Sequence, residues 1–161
     1  MRSACSPPRT AVNRLALLIA TVGGVGHAPL APGTVASAIT ALALGFLTPS
    51  RAMLLVVVLA VILIGTWAAQ DAERSLGSKD PGAIVIDEVA GMAVSVLAVP
   101  LTPAVLAVAF VLFRVFDIVK PYPANELQRL RGGVGVMIDD LVAGVYALLL
   151  VLAARALLSW P

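Results

Sequence analysis

Residues 52–69 form an uncharged run dense in Leu and Val, and this run limits the possible folds more than any other feature. It approaches the roughly 20 apolar residues that a bilayer-spanning helix needs. Four more apolar stretches follow the same pattern, at residues 34–47, 89–99, 103–119 and 141–158. Ile84-Val85-Ile86 extends the second of these backwards, and Pro49, Pro100 and Pro121 act as boundary signals. Composition closes the alternatives. Of 161 residues, 60% are apolar and 12% charged, more apolar surface than a soluble domain of this size can hide. Disorder needs the opposite composition, and the single cysteine, Cys5, excludes a disulfide scaffold. The expected fold is therefore all-α, a polytopic membrane helix bundle of about five spans in one domain covering residues 1–161. Several stretches are short, which implies a thin or tilted bundle. Ala36, Ser37, Ala38, Gly91 and Gly144 supply the small side chains that let helices approach in lipid.

The first 30 residues read differently. Arg2, Arg9 and Arg14 precede an apolar stretch at 15–22, followed by Gly23, Gly24 and Gly26. A signal peptide with a short core has this shape. The preferred reading is an interfacial or re-entrant helix on the inner face. Cys5 lies ahead of the apolar core, so it is not a lipobox cysteine.

Alternating five spans across a membrane sorts the charges. Arg2, Arg9, Arg14, Arg74, Lys79, Arg114, Lys120, Arg129 and Arg131 fall on the side of the N-terminus, and Arg51 and Arg155 on the other. The positive-inside rule makes the first side cytoplasmic. All the acids fall there too: Asp71, Glu73, Asp80, Asp87, Glu88, Asp117, Glu126, Asp139 and Asp140. Short turns on the far side account for part of this asymmetry. They do not account for acids set against apolar helix ends, where ionisable groups are costly and face a partner or a polar cavity.

Four segments carry candidate chemistry. In Ile86-Asp87-Glu88-Val89, two adjacent carboxylates interrupt an apolar run at a helix start. One would suffice to cap the helix dipole; two in apolar surroundings point to a cation. Arg114, Asp117 and Lys120 fall at three-residue spacing on one helix face. This triad serves equally well as snorkelling, self-neutralising charges or as a site for a metal and phosphate oxygens. In the segment from Gly132 to Asp140, Gly133 and Gly135 permit close backbone approach to a ligand and lead into a second acid pair, Asp139-Asp140. In Gly26-His27-Ala28-Pro29-Leu30-Ala31-Pro32-Gly33-Thr34, Thr34 reads as a helix cap whose neighbouring N–H groups can face an anion. His27, the only histidine, reads as a surface residue. Neither a multi-histidine zinc site nor a placed cysteine nucleophile is present. Carboxylate oxygens without soft ligands point to Mg²⁺ or Mn²⁺.

These segments together resemble the bacterial phosphatidylglycerophosphatase A family. The likeness rests on Asp80-Pro81-Gly82 with Ile86-Asp87-Glu88, on the stretch from Phe113 to Pro123, on Gly132 to Asp140, and on Pro32-Gly33-Thr34. It covers most of the chain, from about Pro32 to Tyr146. Family members often carry Trp where Ile86 and Tyr122 stand here. The resemblance implies a multi-pass enzyme of the bacterial inner membrane, with its active site facing the cytosol. It implies Mg²⁺-dependent removal of the terminal phosphate of phosphatidylglycerophosphate, giving phosphatidylglycerol. Asp87, Glu88, Asp117, Asp139 and Asp140 would then hold the metal, with Asp139 or Asp140 as general base. Arg114, Lys120, Thr34 and Gly133 would receive the phosphate. No partner other than lipid is expected, nucleic acid included, and these features leave the oligomeric state open. The rival from another class is an ion-coupled transporter or channel subunit with buried acids. It requires access from both faces, whereas the acids here gather at one end. A purely structural subunit leaves the repeated acid pairs unexplained.

Overall fold

Helix boundaries follow local chemistry. In the computed structural model, which describes residues 13–77 and 81–158, the helices are α1 Arg14–Ala20, α2 Pro32–Leu47, α3 Arg51–Leu76, α4 Ile86–Val94, α5 Pro103–Val119, α6 Ala124–Leu127 and α7 Gly133–Leu158. A 3-10 turn at Val25–His27 joins α1 to α2. No strand occurs among the described residues. Arg2, Cys5, Arg9, Lys79 and Asp80 lie outside them. Asn13, Ser50 and Thr102 cap α1, α3 and α5, each side chain accepting the amide three residues on. Pro32 and Pro103 open α2 and α5, where a missing N–H costs nothing.

Several expected boundaries move. The apolar run at 52–69 continues as helix to Leu76, because Gln70, Ala72, Glu73 and Arg74 are good helix formers whatever their polarity. The third stretch gives only the nine-residue α4, and residues 95–99 continue as turns. The last helix starts at Gly133 rather than near Leu141, so Asp139 and Asp140 sit in its second turn and Gly133 and Gly135 are helical. Thr34 is the third residue of α2; the residue ahead of the helix is Ala31, at φ +44°, with no side-chain cap.

Two helices, α3 and α7, are long and apolar enough to cross a membrane, and α2 is a shorter apolar helix. Only 28% of the most apolar stretch of α3 is buried; Val56, Leu59 and Leu63 face outwards. An apolar outer surface of this kind suits a lipid solvent. Inside, α7 packs against α3, α4 and α5, while α2 covers α4 and α5 and α1 lies on α3. Phe113, Met92, Val96 and Val105 fill one core cluster. The other is built on small residues, Ala16, Ala20, Ala68, Ala69 and Ala72, with Met137.

One close crossing sets the architecture. A methyl at Gly91 of α4 would lie 2.6 Å from the Asp140 carbonyl of α7 and would collide with the Phe113 ring of α5. A methyl at Gly144 would overlap the Gly91 carbonyl. Bare backbone at both positions lets α4 and α7 touch, as small residues do between membrane helices. The start of α4 is thereby brought beside the second turn of α7.

Candidate active site

The acids at the start of α4 are positioned from behind by the N-terminal segment. The Val85 amide donates to the Ala20 carbonyl at 2.9 Å, and Gly26 lies so close to the Ala83 carbonyl that no side chain fits between them. The segment is itself tied to α3, where Asn13 Nδ2 donates to Asp71 Oδ2 at 2.9 Å. Asp71, expected in a loop, is thus a helical residue with a structural partner. His27 is exposed, as expected of a surface histidine.

Across the Gly91 crossing, Asp87, Glu88 and Asp140 come together. Each offers one carboxylate oxygen, and these oxygens lie within 4.8 Å of one another. Asp87 and Asp140 are buried. Glu88 Oε2 and Asp140 Oδ2 are buried without a hydrogen-bond partner. Three converging carboxylates, those of Glu88 and Asp140 with unsatisfied oxygens, are unstable together as bare anions, since burying like charges is expensive. A hard cation with oxygen ligands satisfies them, so this donor set fits a metal ion.

The other two acids pair with protein cations. Arg114 Nη1 contacts Asp117 Oδ2 at 2.6 Å. Lys120 Nζ lies 3.7 Å from Asp117 Oδ1 and hydrogen-bonds Asp139 Oδ2. Asp117 remains close enough to Glu88 and Asp140 for its charge to act on both. Lys120 ends α5 in the left-handed region, at φ +46°, uncommon for a residue with a side chain. Burial by itself would lower its pKa. The Asp139 hydrogen bond and the charges of Asp139, Asp140 and Asp117 outweigh burial and raise it, so the ammonium stays charged. Arg114 Nε is buried without a hydrogen-bond partner.

Of two further expected residues, Thr34 adjoins the site through Gly33, whereas Gly133 packs against α3. Thr34 follows Gly33, and Gly33 is where α2 meets the acids: a Cβ there would overlap Glu88 Oε1 and lie 3.2 Å from Arg114 Nη1. The absent side chain of Gly133 admits the Thr66 carbonyl of α3. The sequence flagged Pro32-Gly33-Thr34 for its amides; the contribution of Gly33 is room for a carboxylate brought in by α4. Gly33→Ala should therefore lower the melting temperature only slightly, because the overlap costs about 1–3 kcal/mol and the better helix propensity of alanine offsets part of it. It should lower turnover about tenfold by displacing Glu88, on the scale of a misplaced catalytic group. Thermal unfolding and phosphate release on the same preparation check both halves.

Oxygen donors that fit a hard cation, set beside an arginine and a lysine held by further acids, suit a phosphohydrolase, in which cations neutralise phosphoryl oxygens. Sequence comparison makes the class specific: the chain belongs to the phosphatidylglycerophosphatase A family, whose profile matches residues 18–155. It is accordingly an enzyme of a phosphatase family. It is 41% identical over 150 residues to a putative phosphatidylinositol-3-phosphatase of Bacteroides thetaiotaomicron, covering 88% of this chain and 94% of that protein. It is 39% identical over 133 residues to phosphatidylglycerophosphatase A of Escherichia coli, covering 80% and 76% respectively. The protein of that name from Haemophilus influenzae is 39% identical over 95 residues, 58% of each chain. No solved structure matches the chain.

Proposed function

We propose that this protein hydrolyses the terminal phosphate monoester of phosphatidylglycerophosphate to phosphatidylglycerol and inorganic phosphate. The reaction takes place at the cytosolic leaflet of a bacterial inner membrane and depends on Mg²⁺. The observation that carries this reading is the convergence of Asp87, Glu88 and Asp140 within 4.8 Å beside the Arg114–Asp117–Lys120–Asp139 chain of ion pairs. Asp87, Glu88 and Asp140 would hold the ion, which when bound supplies Lewis-acid polarisation of the phosphoryl group. Lys120 and Arg114 neutralise charge on the phosphoryl oxygens, and Asp117 and Asp139 hold them in place. Water attacks phosphorus, the phosphorus–oxygen ester bond breaks, and the glycerol oxygen leaves with a proton. Asp139 or Asp140 takes the proton of the attacking water. A five-span arrangement with the N-terminal segment at the inner interface would put these groups at the depth of a lipid phosphate. The positive-inside distribution of the arginines and lysines supports that orientation. Membership of a phosphatase family disfavours the transporter alternative.

The name of the Bacteroides relative favours one second reading, a 3-phosphorylated phosphatidylinositol as substrate. Both lipids present a phosphate monoester to the same groups. Purified protein should release phosphate from phosphatidylglycerophosphate, lose this activity in excess chelator and regain it with Mg²⁺. A preference for the inositol lipid would select the second reading. Full activity in chelator would remove the metal from the mechanism.

A further inference from the structure

A groove of about 450 Å³ runs between α2 and α5, floored by Ala38, Ala41 and Gly45 on one side and by Ala107 and Phe110 on the other. Its walls belong to the two helices that bring Gly33 and Arg114 to the acids. The α2 positions 38, 41 and 45 share one helical stripe, and the next position up that stripe is Thr34. The α5 positions 107 and 110 continue up their stripe to Arg114 and Asp117. Both walls therefore lead from an apolar trough towards the charged site, about one helical turn beyond Ala38 and Phe110. Leu42 and Phe46 flank the trough and are largely exposed.

We infer that this groove holds one acyl chain of the substrate lipid while its phosphate occupies the site above. The dimensions favour a single hydrocarbon chain. The lined stretch of α2 from Ala38 to Phe46 descends roughly 12 Å at helical rise and the turn from Thr34 to Ala38 adds roughly 6 Å, against roughly 15 Å for the hydrocarbon of one leaflet. A chain anchored by its headgroup at the site thus reaches the bottom of the groove. The side chains that line the trough are apolar, and its floor of alanine and glycine suits a smooth, flexible occupant.

This inference rests on the lipid-phosphatase reading, and the test separates the two. Kinetics of the full chain are measured on dioleoyl and dihexanoyl phosphatidylglycerophosphate, whose headgroups are identical. Ala38→Leu and Gly45→Leu place a branched side chain in the trough without touching the acids. The ratio of kcat/KM for the long-chain over the short-chain lipid should fall about tenfold in each variant, the scale of apolar-pocket discrimination. Leucine at 45 presses on Leu106, whose Cδ1 would lie 3.0 Å from its Cβ; Ala38→Leu keeps the test decisive if that variant is poorly folded. An unchanged ratio in Ala38→Leu would show that bulk lipid, not substrate, fills the groove, and would overturn the inference. No phosphate release from either lipid by the unmodified protein would instead overturn the proposed function.

Discussion

Asp140→Asn should lower turnover by at least ~10²-fold, the scale of a positioned electrostatic group, and should make the metal-free protein more stable. The two effects have one cause. Asp140 is buried in the second turn of α7, its Oδ2 has no hydrogen-bond partner, and its carboxylate converges with those of Asp87 and Glu88. Without a cation the three carboxylates repel one another. Asparagine keeps the shape and removes one charge, so the metal-free melting temperature should rise. The same change weakens the cation site, so the stabilisation that Mg²⁺ gives through preferential binding to the folded state should shrink or vanish. Asp71→Asn and Glu126→Gln are the controls. Asp71 sits on α3 with Asn13 and Arg74, and Glu126 pairs with Arg129 on an exposed turn. Neither control should lower turnover more than about twofold, as expected of substitutions outside a site. Equal losses in controls and in Asp140→Asn would dissolve the assignment, as would an unaltered Mg²⁺-dependent melting shift.

The legible part of the site was its cost. Asp87-Glu88 and Asp139-Asp140 interrupt apolar sequence, and an apolar sequence does not carry idle charge. Their partition was not legible. Residues adjacent on a helix point about 100° apart, because a turn takes 3.6 residues. Asp140 therefore joins Asp87 and Glu88 across the α4–α7 crossing, while Asp139 turns to Lys120 on α5. The sequence shows a pair; only the packing divides it between a carboxylate cluster and an ion pair. Glycine misled in the same way. Gly133 and Gly135 look like loop residues, yet both lie in α7, where Gly133 lets α3 approach. Gly91 and Gly144 were recognisable as close-approach positions, but not as a matched pair at one crossing. Likewise the polar segment after Ala69 reads as a loop by hydropathy, although nothing in Gln70 to Arg74 opposes helix and the bundle continues it to Leu76. Helices were thus visible wherever apolar period and boundary signals agreed, and hidden where composition suggested a loop but packing held the backbone helical.

Lys120→Arg should insert and fold with a melting temperature close to that of the unmodified chain, yet lose at least ~10-fold in turnover. Lys120→Ala is the poorer test, for a reason visible only in the structure. Lys120 hydrogen-bonds Asp139, which is 3% exposed. Removing the ammonium takes the neutralising cation from a buried carboxylate, at a cost of up to about 3–5 kcal/mol, so activity would be lost together with fold. Arginine retains the charge and can still pair with Asp139 and Asp117, which preserves the structural role. It does not reproduce a compact ammonium on a flexible stem meeting a phosphoryl oxygen, because the guanidinium is planar and directs its donors in a fixed fork. Stability and turnover therefore separate in this variant if Lys120 touches substrate, and move together if it only neutralises acids. Normal kinetics for Lys120→Arg would reduce Lys120 to the counter-ion of Asp139 and leave Arg114, with its buried and unpartnered Nε, as the cation that meets the phosphate.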